Sequence, residues 1–192
     1  MTAISDLRYT IAPKSDQLNS EQLISGPISI TVTDVSIGGS DEQPICIHYE
    51  GDDGRVYKPC KTSRKILIFA WGPDGREWVG KSMTLYNDPS VRFGGATVGG
   101  IRISHMSGIE RDISLSLTAT KGKKAGHTIK PMPTLQEVTR LIDSANNRAA
   151  LDAAKAAAAM LPAAEREQAR AIYGARIAQI KAAAQQPATE SA

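Results

Sequence analysis

Alanine divides this sequence in two, and the division limits what each part can fold into. Six alanines occur in the first 130 residues and twenty in the last 62, with the change falling at Lys130-Pro131-Met132-Pro133. The C-terminal part therefore reads as helical and lean, because alanine favours helix but buries little area per residue. Thr134-Leu-Gln-Glu137 fits a capping box, and Leu135, Val138, Leu141 and Ile142 give the short amphipathic helix behind it. A second helix is expected from about Asn147 to Met160, ended by Pro162. A third is expected from Ala163 to Ala184, with Ala169, Ile172, Tyr173, Ile177 and Ile180 at three- and four-residue spacing. These form a three-helix module over 134–184, followed by a polar, disordered tail over 185–192. The module either stands alone or leans on a partner surface: the preceding domain, a second copy or another protein.

Upstream the period is that of β-strands. After an N-terminal segment over 1–26, Ile28, Ile30, Val32 and Val35 alternate with Ser29, Thr31 and Thr33, and Pro44–Glu50 alternates likewise. Gly51-Asp-Asp-Gly54 supplies turn residues, so Arg55–Lys58 reads as the return strand of a hairpin. The segment 62–71 admits two readings. A hydroxyl cap at Thr62 or Ser63 and a closing Gly72 favour a short helix, whereas Ile66-Leu-Ile-Phe69 favours a buried strand; we favour the helix, with Phe69 in the core. Further strands are expected at Glu77–Tyr86, 101–105 and Asp112–Thr120, with a glycine-rich connection over Phe93–Gly100. With 62–71 helical, the order is that of an OB-like antiparallel β-barrel over 27–120; otherwise a plainer sandwich or barrel results. Lys121-Gly-Lys-Lys-Ala-Gly126 has no apolar period, so 121–133 reads as a flexible basic linker. The expected class is thus α+β.

The net charge of +3 conceals an asymmetry. Residues 1–54 sum to −7, residues 55–130 to +9 and residues 131–192 to +1, and six of the nine aromatics fall in the basic block. Cations track phosphates while flat rings stack on bases, so a basic, aromatic-bearing block is what a single-stranded nucleic-acid site requires. The competing reading makes the rings core and the bases a solvated face. For stacking the candidates are Trp71, Trp78, Tyr86 and Phe93. For phosphates they are Lys58, Lys61, Arg64, Lys65, Arg76, Lys81, Arg92, Arg102 and the Lys121–Lys124 cluster. Alternation sends Trp78 and Lys81 to opposite faces of one strand, so either Trp78 and Tyr86 are core while Lys81 faces a ligand, or the reverse.

Catalytic patterns are thin. His48, His105 and His127 lack zinc-ligand spacing from Cys46 or Cys60, His48 reads as a packing residue and His127 as part of the linker. Asp52 and Asp53 read as turn formers. Asp74, Glu77 and Lys81 have the residue types of some nuclease centres, but four residues separate the glutamate from the lysine where two are usual. The Phe93–Gly100 loop has no Lys-Ser or Lys-Thr behind it, so it lacks the parts of a nucleotide cradle. No enzyme, metal or cofactor is implied. No apolar run approaches the roughly 18 residues of a membrane span. The N-terminus lacks a basic, apolar and small-residue export pattern, and two cysteines are too few for a secreted scaffold. A soluble, cytoplasmic protein is expected.

Several stretches carry a resemblance: Ile11-Ala-Pro-Lys-Ser-Asp-Gln-Leu-Asn19, Tyr57-Lys-Pro-Cys-Lys-Thr-Ser-Arg-Lys65, Trp71-Gly-Pro-Asp74, Trp78–Pro89 and Val98–Ser107. Over roughly 10–120 the chain resembles a family of uncharacterised phage and prophage proteins. From Thr134 to Ile180 it resembles a helical module at the ends of phage replication and recombination proteins, including single-strand annealing recombinases. The resemblances imply phage DNA metabolism in a host cytoplasm and no residue-level role. Two functions follow as expectations. One is a non-catalytic, single-stranded DNA-binding accessory protein whose C-terminal helices contact a replication or recombination protein, or a second copy. The other is a phage protein-interaction or structural protein, a host-factor inhibitor or virion component.

Overall fold

The first alternating segments pair as antiparallel strands, β1 (Ile28–Ile37) and β2 (Ile45–Tyr49), which send Ile30, Val32 and Ile47 into the core. The structure is a computed structural model that describes residues 15–38, 40–93, 96–120 and 122–185. The expected tail beyond Gln185, Lys121 of the lysine cluster and part of the N-terminal segment lie outside the described residues. From the rest of that segment Leu18 and Leu23 are buried and Gln17 is bridged to Val56.

The Gly51–Gly54 turn forms as expected. Asp53 adopts φ 48° between two positive-φ glycines, and the Asp52 carboxylate accepts from the Gly54 amide at 2.9 Å. The return strand shrinks to two isolated bridges, Val56 to Gln17 and Tyr57 to Ile47, the latter pair exchanging both backbone hydrogen bonds at 2.9 Å.

The 62–71 segment is helical. α1 (Lys61–Trp71) buries Ser63, Ile66, Leu67 and Trp71 at helical spacing and ends at Gly72, whose φ of 89° suits glycine. Its N-cap is Cys60 rather than a hydroxyl residue. Phe69 is 63% exposed and not core, because it stands about 200° around the helix from Leu67.

The strand expected from Glu77 begins only at Ser82. Gly75–Trp78 is a 3-10 turn whose second amide, at Arg76, donates to the Asp74 side chain at 3.0 Å, and Gly80 at φ 81° turns the chain again. Trp78 therefore belongs to a turn. β3 (Ser82–Asp88) sends Met83 and Leu85 into the core, while buried Ser82 and Thr84 meet Thr31 and Ser29 across β1 at 3.0 and 2.9 Å. A small hairpin, β4 (Arg92–Phe93) with β5 (Ala96–Thr97), precedes β6 (Gly100–Met106).

The basic linker is in fact a strand. β7 (Ile113–Thr120) and β8 (Lys123–Pro131) make a long antiparallel hairpin, with Gly122 at φ 78° in its tight turn. Ala125, His127 and Ile129 point inward between exposed Lys124, Gly126, Thr128 and Lys130; small and polar inward residues hide the alternation from a hydropathy reading. β8 then runs parallel to β6, giving a six-stranded mixed sheet ordered β2-β1-β3-β6-β8-β7. This sheet is open, with β2 and β7 as its edges, so the closed antiparallel OB-like barrel gives way to an open α+β sheet with α1 packed on its core.

The three expected helices are α2 (Leu135–Ser144), α3 (Arg148–Ala159) and α4 (Ala163–Gln185), packed around Val138, Ile142, Ala154, Leu161 and Ala169. They meet the sheet where the Ser29 hydroxyl donates to the Met160 carbonyl at 2.7 Å. The capping box is present: the Thr134 hydroxyl accepts from the Glu137 amide at 3.2 Å, and the Glu137 carboxylate accepts from the Thr134 amide at 2.8 Å. Thr134→Ala is expected to cost about 1 kcal/mol, read as a lower urea midpoint with an unchanged slope. Among the described residues no helix is long and apolar enough to cross a membrane.

Candidate functional site

The sequence-predicted residues separate toward the two ends of α1, about 15 Å apart. At its C-terminal end, Trp71 and Trp78 are buried, with ring centroids 6.2 Å apart at 59°. The Trp71 indole donates to the Ser107 carbonyl at 2.8 Å and the Trp78 indole to the Gly72 carbonyl at 3.0 Å. Both rings are core, so neither offers a base a face. The Lys81 ammonium lies 5.7 Å above the Trp71 ring, and Arg76 grips Asp74 at 2.6 Å, a hydrogen bond that holds the Asp74 carboxyl down to about 2. Arg64 donates to the carbonyls of Glu42 and Pro59. Lys65 is exposed on the helix surface.

At the N-terminal end of α1 two adjoining cavities, of about 480 and 600 Å³, share Thr62, Val91, Arg92 and Arg102 in their walls. Lys58 and Lys61 line one and Tyr86 the other, so four expected cations and one expected ring border this pair of adjoining cavities, the cleft. Local structure sets each of them. Lys61 opens α1, while Tyr86 and Arg102 are cross-strand partners on β3 and β6. Arg92 stands exposed where the chain doubles back, since the amides of Val98 and Gly99 both reach the Val91 carbonyl. Gly100 permits that approach, because a Cβ there would meet Val91 at 2.8 Å. Phe93, beyond its backbone, lies outside the described residues. Lys123 and Lys124 are exposed at the start of β8.

The cleft is cationic but not bare. Asp88 lies 3.6 Å from the Arg102 guanidinium, and the Asp16 carboxylate holds the Lys58 ammonium at 2.8 Å. The Ser90 hydroxyl, 2.6 Å from Asp88, keeps that carboxyl below the usual range against the opposing effect of burial, with Arg102 assisting. Burial raises the Tyr86 phenol, and Asp88 adds to the shift. Charge and alternation missed Asp88, Cys60 and His127. The Cys60-Lys-Thr-Ser63 stretch before a helix was a readable signal for the cysteine, whereas His127 was hidden by the unrecognised strand.

His48 pairs its Nδ1 with the Asp52 carboxylate at 2.9 Å, within the turn. His127 is half-buried in the cleft wall, and burial followed by Arg102 lowers its imidazole value; burial followed by Lys130 lowers that of His105. Unfolding restores the ordinary value of about 6.5, so just below it the unfolded chain binds more protons than the folded one. The stability these groups allow is complete above that value and is lost as pH falls through it. The urea midpoint is expected to be lower at pH 5 than at pH 7, with a smaller difference in a His105→Asn, His127→Asn variant.

No family model matches this chain, and no curated protein or solved structure matches it either.

Proposed function

We propose that the chain is a non-catalytic single-stranded DNA-binding accessory protein of phage replication or recombination, its phage setting resting on the sequence resemblance alone. The observation that carries the binding reading is the convergence of Lys58, Lys61, Arg92 and Arg102 on one cleft beside Tyr86. Phosphates meet the four cations, one base stacks on the half-exposed Tyr86 ring, and Asp88 and Asp16 hold the guanidinium and ammonium groups in place until phosphate replaces them. The C-terminal helices serve a partner protein in this reading. Four contacts to a single strand set a salt slope of about −3 in log K against log salt.

The test is fluorescence anisotropy of a labelled oligo-dT titrated with the full chain over a salt series. Tryptophan quenching is the wrong readout, because both indoles are core. Salt-sensitive binding of the single strand, weaker for duplex, is expected. Absence of binding at low salt refutes the reading and favours the second, a protein-interaction role. That second reading is supported by an apolar surface in which Ile37, 88% exposed, and Ile68 border a groove floored by Trp78, with Phe69 exposed nearby on α1.

A further inference from the structure

Cys60 sits where the extended chain turns into α1, and sulfur-facing donors converge there. The Ser63 hydroxyl lies 3.5 Å from Sγ and an Arg102 terminal nitrogen 3.8 Å. Ser63 is buried, so its hydroxyl is held in place, and Cys60 itself is exposed.

A cysteine at a helix start is not by itself a site. The second observation is Tyr57, which is 2% exposed and lines the same cavity as Cys60 and Arg102. Its hydroxyl is buried without a hydrogen-bond partner. Burial raises the Tyr57 phenol, keeping it a donor, and Ser63 is near enough to oppose that shift without reaching hydrogen-bond geometry. An unsatisfied donor beside a donor-ringed sulfur, in a residue that lines an open cavity, calls for an incoming group rich in acceptor oxygens.

We infer that Cys60 is a thiol-modification site that exchanges with small carboxylate-bearing disulfides, whose acid groups meet Lys58, Lys61 and Arg92. The Cys60 thiolate attacks one sulfur of the reagent; an Sγ–S bond forms as the reagent's S–S bond breaks. The departing sulfur leaves with the electron pair and takes a proton from water. The protein sulfur is thereby oxidised to a mixed disulfide, and half of the reagent is reduced to a thiol. Partial burial opposes ionisation of Cys60, yet the Ser63 hydroxyl and amide, Arg102 and the Thr62 amide together hold the thiol below its ordinary value. This inference does not depend on nucleic-acid binding.

The test mixes the reduced full chain with dithiobis(nitrobenzoate), a dianionic disulfide, and follows thiolate release across pH in Cys46→Ser and Cys60→Ser variants. The Cys46→Ser protein is expected to react about threefold or more faster than N-acetylcysteine at mildly acidic pH, with a lower midpoint. Cys60→Ser leaves only the slow reaction of Cys46. Arg102→Gln raises the midpoint while Arg102→Lys, which keeps the charge, restores it, with circular dichroism establishing that both are folded. Intact mass after exposure to glutathione disulfide gives one adduct in Cys46→Ser and none in Cys60→Ser. Reaction of the Cys46→Ser protein at the rate of N-acetylcysteine at every pH, or a midpoint unmoved in folded Arg102→Gln, overturns the inference.

Discussion

Trp71→Ala is expected to lower the free energy of unfolding by about 3–5 kcal/mol, read from urea unfolding followed by far-UV circular dichroism. The substitution leaves a ring-sized cavity between α1 and the Gly75–Trp78 turn, where the two indoles pack against each other. It also strips the Ser107 carbonyl of its 2.8 Å donor and removes the ring beneath the Lys81 ammonium. Trp71→Phe keeps most of the volume and costs less. Because Trp71 lies at the far end of α1 from the cleft, folded Trp71→Phe protein is expected to bind oligo-dT within about twofold of the parent, a difference below about 0.4 kcal/mol. A folded Trp71→Phe protein that has lost binding would return the tryptophan to the ligand and place the cleft in the wrong region.

That contrast also marks how far the sequence could be read. Apart from the start of α1, these helix ends were legible, because capping is local: Gly72 closes α1, Thr134 and Glu137 open α2, and Asn147 caps α3 through the Ala150 amide. The basic, aromatic character of 55–130 was legible as well, and its three-dimensional distribution was not. A hydropathy pattern places Trp78 on a strand with Tyr86. The chain instead spends Trp78 in a capped turn and starts the strand four residues later, so one ring is core and the other lines the cleft. β8 was hidden for a different reason. Its inward positions are filled by Ala125 and His127, which a neighbouring strand accepts but a periodicity count does not register. Missing β8 also meant missing the parallel β6–β8 pairing that makes the sheet mixed. The helical module was readable in outline, whereas its contact through Ser29 and Met160 spans 131 residues and has no local signature.

The cleft is the central claim, and neutralising it should have the largest effect on binding. In a Lys61→Gln, Arg92→Gln, Arg102→Gln variant one of the four cations remains. The salt slope for oligo-dT is then expected to fall from about −3 to about −1, with weaker binding at low salt. The matched control, Arg76→Gln with Lys81→Gln, removes two cations from the other end of α1 and should leave the slope unchanged, since neither residue lines the cleft. Both proteins carry intact cores, and their unfolding curves establish that a lost slope is not lost structure. The decisive measurement is therefore the salt slope of the two variants against the parent. A slope that collapses in the cleft variant alone is the predicted result. A slope retained in the cleft variant, or lost equally in both, contradicts the assignment of the cleft as the site of nucleic-acid binding.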